Sequence, residues 1–501
     1  MTASRMLAGQ LLMVRLSGTT LDDASAAFLR ANGVRAVCLF RQNMLDAAQL
    51  GRLNAELRAA MGQDALIALD QEGGAVMRPT WVPAAPSAMA LGAADDTILA
   101  RDIGAAVARA VKALGFNWNF APVLDLNSNP HNPVIAERSF GADPHRATAL
   151  AMAWMAGSEF EGVACCVKHF PGHGDTSVDS HRDLPTVDKP LAALEQCEFA
   201  PFKLASGHAP AMMTAHIVYP ALDADFPATM SRRILTNLLR ETWQYRGVII
   251  TDAMDMHAIA HRYGAGQAAV NALVAGADMV MALGSAAIQE QSIAAIAAAI
   301  DDGTLPMDDV EQKLARLSAL ARAYPCQPPQ DANDAKDAKD GEDGEERALM
   351  AEGWRRALTA RGAPVRPAPG AKLRLVVRQD TAGDGVSEAG VSAGAVAAML
   401  ARLFDVETVT FGDAECFDWR ALPGDGRFTV LASTSRLRYG PNARASWKPD
   451  LHLALWNPYQ ALDIDAPALI TYGFVTPALD AVNAWLAGTL EARGRCPVAG
   501  F

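Results

Sequence analysis

Over the first 285 residues the chain alternates between short apolar runs and longer stretches with apolar residues at helical spacing. Eight runs stand out, at 11–16, 34–40, 65–69, 120–126, 163–167, 211–215, 247–250 and 277–283. They are short, several carry β-branched residues, and turn residues bound most of them, which reads as buried parallel strand rather than helix. Between and after them lie helical stretches at 21–31, 46–60, 97–114, 144–159, 190–206, 231–242, 264–274 and 286–300. Eight strand-like runs alternating with eight helices predict a (β/α)8 TIM-type barrel.

The pattern breaks after Tyr324. Residues 325–346, PCQPPQDANDAKDAKDGEDGEE, hold no aromatic and no large aliphatic side chain. Such a stretch cannot bury enough apolar surface to offset its ordering entropy, so it reads as a flexible acidic linker. A helix is expected from near Arg347 through Trp354. Strand-like runs resume at 373–377, 406–409, 428–432, 451–455 and 468–472, with helical stretches at 395–403 and 477–490. The expected plan is a barrel over 1–323, a linker over 324–346 and a smaller α/β sandwich domain over 347–501.

Composition narrows the partners. The 501 residues are half hydrophobic, enough for two sizeable cores, and the net charge is −12. That acidic balance argues against nucleic-acid or anionic-membrane binding, which needs a basic surface. The seven cysteines are odd in number and scattered without a metal or disulfide spacing, which fits a reducing compartment. The apolar run at 6–14 is interrupted by Gly9 and Gln10 and reads as no export signal, and no stretch is long enough to span a membrane. A cytoplasmic protein without an obligate protein partner is expected.

The strand ends carry the chemistry. Asp70 ends the third run, Asp125 lies in the fourth, Lys168 and His169 follow the fifth, His216 the sixth and Asp252 the seventh. In this architecture functional groups gather at the C-terminal ends of the strands, so these side chains are expected on one face. After the fifth run comes a Gly/Pro-rich loop with His173, Asp175, Asp179 and His181. The loop histidines lie on no single helical face and form no HxH pair on a strand, so a metal site is not the expected reading.

Here the chain resembles a known family. The segment KHFPGHGDTSVDSH (168–181) is similar to the signature of glycoside hydrolase family 3, in its β-N-acetylglucosaminidase branch. ALDQEGG (68–74), ERSFG (137–141) and GVIITDAMDM (247–256) resemble further segments of the same family, and the tail from WNPYQALD (456–463) resembles the second domain of its two-domain members. The resemblance implies that Asp70, Arg78, Arg138, Lys168 and His169 bind the sugar. It implies that Asp252 is the nucleophile and that His181, paired with Asp179, is the acid/base. A nearby carboxylate stabilises protonated imidazole, which can donate to the departing oxygen and then, neutral, activate water. Ala75 stands where the family commonly has Arg, and Pro79-Thr80 follows Arg78.

Plainer readings stay open. Asp70 could be a solvated turn residue, Arg138 one half of a rim ion pair, Asp252 a helix N-cap and His181 a loop pin, while Asp255 is expected to cap the following helix. The expected activity is a retaining exo-β-N-acetylglucosaminidase acting on terminal β-linked N-acetylglucosamine, with cell-wall muropeptides as source and no metal or organic cofactor. The alternatives are a β-N-acetylglucosaminide phosphorylase, since neutral His181 tolerates a phosphate dianion, and a non-catalytic sugar-binding barrel. Both catalytic candidates precede residue 260, so the second domain is expected to be dispensable for the chemistry.

Overall fold

A computed structural model describes residues 2–177, 183–328, 335–379, 386–387 and 390–501. Eight parallel strands close a barrel in sequence order: β1 (Leu12–Val14), β2 (Ala36–Cys38), β3 (Leu66–Leu69), β4 (Trp118–Asn119), β5 (Ala164–Phe170), β6 (Ala211–Thr214), β7 (Val248–Ala253) and β8 (Met279–Ala282). Residues 164–167 and 211–214 are wholly buried, as parallel strands covered by helices on one side and barrel core on the other must be. Most strands differ from the expected runs by a few residues, and three differences change the picture. Strand β4 covers only Trp118–Asn119; Pro122 offers no N–H to the ladder, which resumes at an isolated parallel bridge between Val123 and Lys168. Strand β5 runs on through Lys168 and His169, so both sit within the strand. The helix expected at 190–206 is split into Leu191–Gln196 and Phe199–Ala205. Pro201, which offers no N–H to a turn below, falls in the first turn of the second piece, where none is needed.

The expected linker is corrected in part. Cys326 is buried and its Sγ lies 3.3 Å from the Gly115 carbonyl. A helix spans Ala335–Ala357, beginning well before Arg347. Ala, Lys and Glu are good helix formers, and the buried Met350 and Trp354 anchor its far end.

The second domain is a six-stranded sheet: β9 (Thr359–Arg361), β10 (Lys372–Arg378), β11 (Asp405–Phe411), β12 (Phe428–Ser433), β13 (Leu451–Ala454) and β14 (Ala468–Ile470), ordered β11-β10-β12-β13-β14-β9. All neighbours are parallel except β9, an edge strand antiparallel to β14 that the sequence pattern did not reveal. The two domains share apolar surface. Met89, Ala90 and Ala93 of the barrel pack in one cluster with Trp354, Tyr459 and Tyr472. Polar contacts cross as well: Trp354 Nε1 donates to the Ala84 carbonyl at 2.9 Å, and Ser87 Oγ to the Tyr472 carbonyl at 2.8 Å.

Candidate active site

The C-terminal ends of the strands surround a cavity of about 220 Å³. Asp70, just past β3, enters it from a loop turned by Gly73 at φ +104, where a Cβ would lie 2.3 Å from the Pro86 carbonyl oxygen. Lys168 Nζ bridges two carboxylates, 2.6 Å from Asp70 Oδ1 and 2.6 Å from Glu72 Oε1. Arg138 holds Glu72 in a two-pronged pair, Nε to Oε2 at 2.9 Å and Nη2 to Oε1 at 2.8 Å. Arg78 Nη2 donates to Asp70 Oδ2 at 2.9 Å, and its guanidinium lies over the Phe40 ring.

The charges within this cluster sustain one another. Burial disfavours charging Asp70, but Lys168 and Arg78 outweigh it and hold the carboxyl well below its usual range. Glu72 is likewise held down, at about 2, by Arg138 and Lys168 against the upward push of burial. Burial pushes the Lys168 ammonium down, yet Asp70 and Glu72 carry it above its ordinary value. Three cations and two carboxylates therefore face the cavity in fixed positions. Fixed donors interleaved with fixed acceptors match a neutral ligand rich in hydroxyls, since each hydroxyl both donates and accepts.

Asp125 supports the next layer. It is buried, its Oδ2 lies 2.6 Å from His169 Nδ1, and its Oδ1 accepts from the backbone N–H of His169 at 3.1 Å and of His173 at 2.6 Å. Burial would raise its pKa, but His169 lowers it further. His173 Nδ1 sits 2.8 Å from Thr176 Oγ1, and burial together with His169 pushes its imidazole down to about 4. His173 is thus neutral at pH 7, its ring tied to Thr176 of the same loop. Among the described residues no three His, Cys, Asp or Glu side chains are grouped to hold a metal.

Asp252 lies on β7, lines the same cavity and accepts at Oδ1 from the Ala253 N–H at 2.7 Å. It begins no helix, so the N-cap reading does not apply. His216 steadies this strand: its Nε2 donates to the Ala253 carbonyl at 3.0 Å, and its Nδ1 lies 2.8 Å from Thr229 Oγ1. Asp255 does not cap the helix His257–Ala260, whose N-cap position is Met256 without a side-chain bond; Asp255 lines the cavity instead.

The fold thus brings Asp70, Arg78, Arg138, Lys168, His169 and Asp252 to one cavity. Asp179 and His181 lie outside the described residues. Sequence reasoning did not single out Glu72 as a site residue, although it sits two positions after Asp70 in the same motif. It placed Asp125 with the strand-end groups without a specific task, and it passed over Val386, which lines the cavity from the second domain. The second domain, expected to be dispensable for the chemistry, thus reaches the cavity wall through Val386. No local signal marks it: Val386 lies between Gly- and Ser-rich residues far from any motif.

The glycosyl hydrolase family 3 N terminal domain matches residues 5–320. Beta-hexosaminidase A of Pseudoalteromonas piscicida is 36% identical over 342 residues, covering 62% of this chain but only 57% of that protein. The beta-hexosaminidase of Chromobacterium violaceum is 38% identical over 323 residues, covering 62% of this chain and 87% of that protein. The structure of a glycoside hydrolase family 3 beta-N-acetylglucosaminidase from Paenibacillus sp. str. FPU-7 superposes with a TM-score of 0.88 at 29% identity, over 99% of each chain.

Proposed function

The chain belongs to glycosyl hydrolase family 3, and from that premise we propose that it is a retaining exo-β-N-acetylglucosaminidase. The observation that carries the reading is the meeting of Asp252 with the Asp70–Lys168–Glu72–Arg138 cluster in one cavity. Retaining glycosidases need a carboxylate beside the anomeric carbon and groups that fix the ring against it. In this reading Asp70 and Glu72 accept from sugar hydroxyls while Lys168, Arg138, Arg78 and His169 donate to sugar oxygens. Asp252 attacks the anomeric carbon, forming a C1–O bond as the glycosidic C1–O bond breaks. Protonated His181, charged by Asp179, gives its proton to the departing oxygen. Neutral His181 then takes a proton from water, whose oxygen attacks C1 and releases Asp252. The substrates are terminal β-linked N-acetylglucosaminides, with cell-wall muropeptides as the natural source.

Turnover of a chromogenic β-N-acetylglucosaminide beside the matching β-glucoside tests the reading. Preferential release from the first is expected; saturable binding of both without turnover makes the protein a sugar-binding barrel. Products analysed with and without phosphate separate hydrolysis from phosphorolysis. His181→Ala should spare the first step of an activated aryl glycoside, accumulate the glycosyl-enzyme and respond to azide. Equal losses for good and poor leaving groups, with no azide rescue, reduce His181 to a loop pin.

A further inference from the structure

The wall of the cavity is not all barrel. Val386 follows β10 in the second domain, yet it packs with Val76, Val134 and Ile135 of the barrel loops and lines the cavity. Its carbonyl accepts from Arg78 Nη1 at 3.3 Å, on the guanidinium whose other nitrogen holds Asp70. Beside it, buried Ser387 donates from Oγ to the Ala75 carbonyl at 2.9 Å. Ala75 in turn packs within the apolar core of the second domain, in one cluster with Leu358, Trp456 and Phe474.

Those contacts give a meaning to the departure at Ala75. A long side chain there would occupy space that the second domain's core fills, at 2% exposure, and interiors are too densely packed to absorb it. With Ala at 75, the second domain comes close enough for Val386 to line the cavity, while Ser387 behind it fastens the segment to the Ala75 carbonyl. Val76, Val134 and Val386 together make the wall apolar next to the charged cluster, which suits the carbon-bound face of a sugar ring or its acetyl methyl.

We propose that Val386, anchored by Ser387, forms a specificity wall of the sugar site: Val386 contacts the apolar part of the terminal sugar, and its carbonyl positions Arg78 on Asp70. Ala75 is the residue that admits this wall. The proposal rests on the glycosidase reading but adds a binding role for the second domain.

Three full-length variants test it, Val386→Ala, Ser387→Ala and Ala75→Arg. In Val386→Ala and Ser387→Ala, KM for the chromogenic N-acetylglucosaminide should rise about three- to tenfold, the scale of two lost methyl contacts or one lost hydrogen bond, with kcat within about twofold. The rise in Tm that saturating N-acetylglucosamine produces should shrink in both, which a merely structural contact would not cause. In Ala75→Arg, kcat/KM should fall more than about tenfold. Wild-type KM and a wild-type ligand-induced shift in both Val386→Ala and Ser387→Ala would overturn the proposal, whatever Ala75→Arg does. If the wild type instead turns over only a β-glucoside, the N-acetylglucosamine reading fails by itself. The same three variants then judge the wall on that glucoside, with glucose as the ligand for the shift.

Discussion

Two buried charge clusters occupy opposite ends of the barrel. At the N-terminal end Asp278 is fully buried just before β8. It accepts from Arg316 Nε at 2.8 Å and from the Ile249 N–H at 2.7 Å, and it pairs with Arg240. Lys313 is buried close by, and burial pushes its ammonium below the ordinary value. At the C-terminal end Asp70 and Glu72 are paired with Lys168, Arg78 and Arg138. By pairing, distance and burial the clusters are alike. They differ in what they face: Asp278 spends its oxygens on fastening β7 to β8, whereas the Asp70–Glu72 cluster borders a cavity that also holds Asp252. A buried ion pair is therefore no sign of a site until space for a ligand adjoins it.

Substitutions at the two ends should separate the roles. The largest effect is expected at Asp252→Ala, with turnover falling by at least about 10⁴-fold, the scale of losing a nucleophile. Its denaturation midpoint should stay at the wild-type value. A fluorinated sugar that traps the intermediate should label the peptide containing Asp252 in mass spectrometry; label on Asp255 would reassign the nucleophile.

Asp278→Ala should act the other way. Removing the buried carboxylate leaves the part-buried Arg240 and Arg316 and the Ile249 N–H without their acceptor, at a cost of about 1–3 kcal/mol of stability, read from urea denaturation. The kcat of the folded fraction should not change. A kcat loss in a variant of unaltered stability would erase the distinction between the two ends.

Arg138→Ala, Lys168→Ala, His169→Ala and Asp70→Ala should each weaken a competitive sugar inhibitor by about 1–3 kcal/mol, the range for a hydrogen bond to a charged group. Calorimetric titration measures it. Affinities unchanged in all four variants would place this cluster, too, among structural pairs.

The smallest effects lie in the pH dependence of stability. His173 sits at about 4 when folded against an ordinary 6.5. Its contribution is complete above 6.5 and declines as pH falls from there toward 4, because the unfolded chain takes up the proton first. Glu72, at about 2 against an ordinary 4.5, follows the same sign over a lower window, from 4.5 down toward 2. His173→Gln should flatten the upper part of a Tm-against-pH curve and Glu72→Gln the lower part. If each variant flattened the other's window, or neither did, these burial and pairing assignments would be wrong.

Much of this protein is legible in its sequence, for a local reason. Strand-like runs and helical spacing record which face of each element is buried, so eight βα units and the placement of Asp70, Lys168 and Asp252 at their ends follow from the chain alone. Contacts between distant elements leave no such record. Glu137 and Arg138 are neighbours in one motif, yet Arg138 turns to Glu72 in the cavity. Glu137 turns away to Arg436 and to Trp456 Nε1, at 2.7 and 2.8 Å, in the second domain. The same holds for Asp278 and Asp70, two acids at strand ends whose roles diverge only because the barrel closes with opposite ends of its strands in different surroundings. It holds again for Val386, more than 300 residues from Arg78 in the chain and 3.3 Å from it in space. Periodicity reports burial one element at a time; which buried charges meet, and which of them border open space, is settled only when the elements pack.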